Sequence, residues 1–205
     1  MSQPDQESWH KIETEWFSKF SLSLDKRNHT TSKLYQKRNE WKLRGTKEEV
    51  IQWILDQKMP TLQFDGASKN NPGKAGAGGV IKDHHGKVMV TYEWGLGNMT
   101  NNKAEAYSLL LGTSILKRLN IQNPIIIGES AILIASMVTG GKFKQIALNN
   151  LKTWIMDNIS DMRGATFKHV LRANNTEADC QANSATSRST GQVRENENTY
   201  DKPIP

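Results

Sequence analysis

The chain has 205 residues, with 27 lysines and arginines against 21 aspartates and glutamates, for a formal charge of +6. That length leaves room for one domain of ordinary size with extensions, and the surplus of positive charge favours a polyanionic partner. A single cysteine, Cys180, excludes an internal disulfide framework and a multi-cysteine zinc site, as suits a reducing compartment. No run approaches the roughly 20 apolar residues of a membrane helix. The N-terminal MSQPDQESWHK also lacks the apolar stretch of a signal peptide. A soluble, monomeric, intracellular protein, nuclear or cytoplasmic and without a membrane partner, is expected.

Trp9, Ile12, Trp16 and Phe20 recur at helical spacing, so residues 7–22 read as an amphipathic helix. Residues 26–47 are strongly basic, with Tyr35 and Trp41 interleaved. That mixture reads either as a solvated connector or as a track for a phosphate backbone, with aromatic rings stacking on bases. Thr46 and Glu49 make a capping box that starts a helix through Val50, Ile51, Trp53, Ile54 and Leu55, and Pro60 stops it. Residues 1–60 are thus expected to form a helical, basic N-terminal extension. From Leu62 the pattern turns to strands: LQFDGA, GAGGVIKD and KVMVTYEWGLG, the last two joined at His84-His85-Gly86. A helix over 102–119 follows, then a fourth strand, PIIIG, running into a helix near Ser130. Another helix spans about 144–160, TFKHVL makes a fifth strand, and a final helix starts near Asn175. This order predicts an α/β domain over residues 61–186, a mixed five-stranded sheet flanked by helices. Residues 187–205 are polar, with few large apolar side chains, and are expected to be disordered.

Four acidic motifs are spread over these elements: Asp65 in FDGAS, Glu105 in TNNKAEA, Glu129 in IIIGES and Asp179 in NNTEAD. Carboxylates converging from separate elements suit Mg²⁺, a hard cation that takes a few carboxylates and keeps several waters. Singly, each has a plainer reading. Asp65 beside Gly66 is a common turn pairing, and Glu105, placed in the first turn of its helix after Asn101 or Asn102 as cap, is favoured there by the helix dipole. His84 and His85 read as an exposed hairpin turn, and His169 as a strand residue that packs or lines a groove. The Gly76–Gly79 run lacks the Lys-Ser/Thr ending of a phosphate-binding loop and reads as close backbone packing. Glu177 reads as a surface acid and Cys180 as a small buried residue.

Taken together, FDGASKNNPGKAGAGGV, the WGLG-x-x-TNNKAEA run, the GES word and Arg172, Asn175 and Ala178-Asp179 resemble the type 1 ribonuclease H family. The likeness runs from about Leu62 to Asn183 and is strongest to the ribonuclease H domain of plant non-LTR retroelement reverse transcriptase polyproteins. It implies a ribonuclease H-like fold and endonucleolytic hydrolysis of the RNA strand of RNA/DNA hybrids. It further implies two Mg²⁺ ions, with Mn²⁺ as a possible substitute, held by Asp65, Glu105, Glu129 and Asp179 as the catalytic and metal-binding set. Asp65 would be shared by both ions, and Asp179 would complete the second site. By the same resemblance Asn71, Thr100, Asn101 and Asn102 contact the hybrid through its minor groove, where only the RNA strand offers a 2′-hydroxyl. Gly66 and Arg172 complete the expected nucleic-acid-binding set.

One residue departs from the family pattern: related sequences carry Asp where this chain has Glu129. The extra methylene moves the carboxylate by about 1.5 Å, and a misplacement on the order of 1 Å can cost a hundredfold in rate. Slowed cleavage, with rescue by Mn²⁺, is expected; the alternative is a retroelement-derived module that binds RNA/DNA hybrid or double-stranded RNA without cutting it. Lys142, Lys144 and Lys152 fall short of the dense basic protrusion some relatives carry, so hybrid affinity is expected to be modest unless residues 26–47 substitute.

Overall fold

The computed structural model describes residues 41–197; the expected helix over 7–22, most of the basic run and the end of the C-terminal tail lie outside the described residues. Three strands, β1 (Thr61–Lys69), β2 (Gly73–Lys82) and β3 (Val88–Met99), form an antiparallel meander. On the other side of β1 lie β4 (Ile125–Gly128) and β5 (Thr166–His169), each parallel to its neighbour. The parallel strands need helical crossovers, and these supply the helical layers.

Helix α2 (Asn101–Arg118) is buried on every side from Ala104 to Leu116. It is sandwiched between β1–β2 and α4 (Ile146–Ser160), where buried Asn158 donates to Thr113 Oγ1 at 3.2 Å. A short helix, α3 (Ala131–Thr139), follows β4 directly, with Ser130 as its N-cap accepting from Leu133 N. The last helix, α5 (Thr176–Ala185), lies on the opposite face of the sheet, touching it through Ala178, Ala182 and Ala185. The glycine run of β2 makes that approach possible: a Cβ on Gly78 would stand 2.3 Å from Ala182 N, and one on Gly76 2.6 Å from Ala182 O. Close packing is thus the role of this run, as its sequence implies. Cys180, expected to be buried, is exposed. It follows Ala178 by two residues, which turns it well away from the face that α5 lays on the sheet.

Helix α1 (Lys47–Asp56) begins with the expected capping box, Glu49 N donating to Thr46 Oγ1 at 3.3 Å and Thr46 N to Glu49 Oε2 at 2.7 Å. It does not stand apart from the sheet. Val50 packs with Ile125, Ile127 and Val170, and Leu43, Trp53 and Ile54 seal the cluster. Just before α1 the chain pairs with the edge of β5: His169 N donates to Trp41 O at 2.7 Å and Leu43 N to His169 O at 2.9 Å.

Among the described residues the sheet has six strands, in the order β5-β4-β1-β2-β3-β6, where five were expected. The sixth, β6 (Val193–Glu197), lies in the segment expected to be disordered and pairs antiparallel with β3. Its only large apolar residue is Val193, so hydrophobic periodicity cannot reveal it. Backbone pairing and Arg118 hold it instead, the guanidinium bonding both Glu195 and Glu197. Among the described residues no helix is long and apolar enough to cross a membrane.

Candidate active site

Three of the four predicted acids meet at one end of the sheet. Asp65 is in mid β1, paired with Gly78, and so shares the face that carries α5. Glu129 follows the last residue of β4, the neighbouring strand, and Asp179 lies in the first turn of α5. Ligand oxygens of Asp65, Glu129 and Asp179 all fall within 4.8 Å of one another. The longer Glu129 side chain therefore still delivers its carboxylate to the cluster.

Glu105 arrives from the other face. Helix α2 has Thr100 as its N-cap, so Glu105 stands in the second turn rather than the first, beyond the strongest part of the dipole field. Its position depends on Gly66, where a Cβ would lie only 2.1 Å from Glu105 N, so β1 and α2 can approach this closely only with glycine there. Glu105 is outside the trio, but it hydrogen-bonds Asp65 and lines the same cavity of about 180 Å³.

The electrostatics follow from four acids in a small volume. Asp65 and Glu105 are each only 5% exposed. Burial first, then the charges of Glu129 and Asp179, push the Asp65 carboxyl up to about 7, against the opposing Gly66 N–H and Arg172. Burial and the charges of Asp65 and Glu129 hold Glu105 well above the usual carboxylate range. Burial also raises Glu129, with Asp179 adding to it and Arg172 and a hydrogen bond from Asn175 opposing. Glu105 Oε2 and Glu129 Oε1 are buried and have no hydrogen-bond partner among the described residues. Unpaired, mutually repelling oxygens in an all-oxygen donor set fit a hard divalent cation.

Of the expected nucleic-acid residues, Gly66, Asn101 and Arg172 line this cavity. Asn71, in the β1–β2 turn, accepts from Asn101 N at 2.8 Å, which ties that turn to the start of α2. Thr100 Oγ1 has no partner, and Asn102 is exposed. Arg172 is in a 3₁₀ turn (Arg172–Asn174), with its side chain 72% exposed and paired with Asp179. The other candidates stand where their plainer readings put them. His84 and His85 stack on each other at the exposed hairpin, ring centroids 3.9 Å apart, and Glu177 pairs with Lys82 at 2.6 Å. His169 ends β5, its imidazole hydrogen-bonding the Glu129 backbone; burial, then the charges of Lys42 and Arg44, lower its proton affinity.

Asn175 is a positioning residue whose role the sequence does not reveal. It is fully buried, donates to Phe64 O at 3.0 Å and hydrogen-bonds Glu129, so it joins β1, Glu129 and the start of α5. An Asn before a helix reads simply as a cap, yet here its side chain makes no capping bond.

A family model described as reverse transcriptase-like matches residues 63–185. The chain belongs to this family, a type 1 ribonuclease H one. A bifunctional protein of Mycobacterium tuberculosis is 31% identical over 125 residues, covering 60% of this chain and 34% of that protein. The N-terminal ribonuclease H domain of that protein has been solved as a fusion with maltose-binding protein. It superposes with a TM-score of 0.59 at 30% identity, over 62% of this chain and 92% of that one. Ribonuclease H1 of Halobacterium salinarum gives 0.58 at 25% identity, over 62% and 96%. A compost-derived ribonuclease H1, solved in complex with an RNA/DNA hybrid, gives 0.58 at 26% identity, over 62% and 96%. The chain thus spans about a third of the length of its mycobacterial relative.

Proposed function

We propose that this chain hydrolyses the RNA strand of RNA/DNA hybrids with divalent cations, Mg²⁺ foremost, held by Asp65, Glu105, Glu129 and Asp179. The observation that carries this reading is the convergence of Asp65, Glu129 and Asp179 within 4.8 Å in a chain of this family. When bound, a pair of such ions supplies an activated water and a stabilised leaving oxygen. Asp65, between Glu105 on one side and Glu129 and Asp179 on the other, would serve both ions, and the raised carboxyls would have to be deprotonated to hold them. Asn71, Thr100, Asn101 and Asn102 read the 2′-hydroxyl, which an amide or hydroxyl matches because each both donates and accepts. Arg172, largely exposed beside Asp179, contacts the backbone. The hybrid-bound compost enzyme supports the choice of substrate, and the reverse transcriptase-like match supports derivation from a retroelement polyprotein.

Glu129 slows this chemistry rather than abolishing it, since its carboxylate keeps company with Asp65 and Asp179. Glu129→Asp and replacement of Mg²⁺ by Mn²⁺ should each raise the rate; no gain from either would remove the idea of attenuation. The function itself is tested with hybrids labelled on one strand at a time, beside duplex RNA and duplex DNA. The expected result is cutting of the RNA strand of the hybrid alone, stopped by a chelator. Equal cutting of both strands, or none in either metal, overturns it.

A further inference from the structure

The family match begins at residue 63, yet the chain just before α1 is paired to β5, the edge strand beside β4, and Glu129 follows the last residue of β4. Lys42 bridges His169, and His169 is in register with Gly128, the residue before Glu129. Paired residues on neighbouring strands share a face, so Lys42 and His169 stand on the same side of the sheet. Two residues on, the chain passes the turn that carries Arg172, where Asn174 Nδ2 donates to Gly45 O at 3.5 Å. Lys42 and Arg44 are both exposed, and among the described residues no carboxylate pairs with either. Not every cation is so placed: Lys82, Lys117, Arg118, Arg172 and Arg188 are paired with acids. Lys42, its Nζ 5.0 Å from the centroid of the Trp41 ring, and Arg44 therefore present positive charge along β5, next to the strand that leads into Glu129, where anionic protein partners are disfavoured by the acids and a nucleic-acid backbone reaching toward bound cations is not.

We propose that Trp41–Arg44 is a phosphate-binding strip that extends the substrate groove past β5, Lys42 and Arg44 each taking a backbone phosphate of the hybrid on the side of Glu129. This rests on the hybrid-hydrolase reading above. The strip is held in place by the backbone pairing to His169 and by Leu43 in the cluster around Val50, and both cations are exposed to solvent, where a phosphate can reach them. It compensates for the sparse lysines between α3 and α4. Because point charges on phosphates carry no sequence information, the strip sets affinity and register along the duplex rather than base preference.

The test measures binding of an RNA/DNA hybrid by the full chain across a salt series, in an Asp65→Asn background that holds cleavage in check. Lys42→Ala with Arg44→Ala is compared with the parent and with Lys117→Ala plus Arg163→Ala at the other end of the sheet. Each phosphate contact contributes about 0.9 to the slope of log affinity against log salt, so the strip variant should lose about 2 from that slope. The control pair should leave it unchanged, and the thermal midpoints of both should match the parent. An unchanged slope in the strip variant, with the wild-type chain still cutting hybrid, overturns the strip alone. A parent that binds no hybrid overturns the hydrolase reading and the strip with it.

Discussion

Acids at the rim of this molecule and acids at its centre are treated in opposite ways. At the β6 edge, Glu195 and Glu197 share Arg118, and elsewhere Glu177 is held by Lys82. At the centre, Asp65, Glu105 and Glu129 are crowded together and raised in proton affinity, and among the described residues one buried oxygen each of Glu105 and Glu129 has no hydrogen-bond partner. Rim pairs secure structure at modest gain, since exposed ion pairs contribute about 0–1 kcal/mol. The central group instead destabilises the folded chain until something cationic arrives. Such an arrangement persists where it serves chemistry rather than packing.

The contrast can be broken at its strongest point with Glu105→Gln. Glu105 sits outside the trio yet bonds Asp65, so losing its charge should cut hybrid cleavage by about 10–100-fold, the scale of losses seen when groups around a metal site are removed. A loss under tenfold, measured in single turnover, would place Glu105 outside the working set.

Stability against pH sharpens the comparison next. Asp65 ionises near 7 in the folded protein and near its ordinary value, about 3.9, when unfolded. Below about pH 4 both states hold the proton and no penalty arises; from there to about pH 7 the unfolded chain ionises freely while the folded one resists. Metal-free stability should therefore fall as pH rises across that window, Glu105 and Glu129 acting in the same direction. Adding Mg²⁺ or Mn²⁺ should restore it most at the upper end. Thermal midpoints that rise from pH 4 to 7 without cation would contradict this account of the centre.

At the rim the expected effects are small. Arg118→Ala releases Glu195 and Glu197 together and should cost about 0.5–1 kcal/mol, with faster amide exchange confined to β6. Global loss of protection would mean that β6 is integral to the core.

What the sequence made legible follows the same division. The meander, the crossover helices and the α1 capping box are written in local patterns: alternation, helical spacing and a Thr-x-x-Glu word. The four acids were legible because each sits in a distinctive short motif, and the folding of β1, β4 and α5 brings three of them together. The β6 strand was hidden because pairing and ion pairs hold it, not apolar burial. Docking of Trp41–Leu43 on β5 was equally hidden, since it joins residues more than a hundred positions apart through backbone bonds that any side chain permits. Cys180 and the helical turn of Glu105 were misplaced through small errors of phase on helices whose starts are set by neighbouring turns.

The most direct test sets one central and one rim substitution side by side in a hybrid-cleavage assay with Mg²⁺: Asp65→Asn and Arg118→Ala. The account predicts that Asp65→Asn abolishes cleavage while still binding hybrid, and that Arg118→Ala cuts at the wild-type rate. Undiminished cleavage by Asp65→Asn would contradict it.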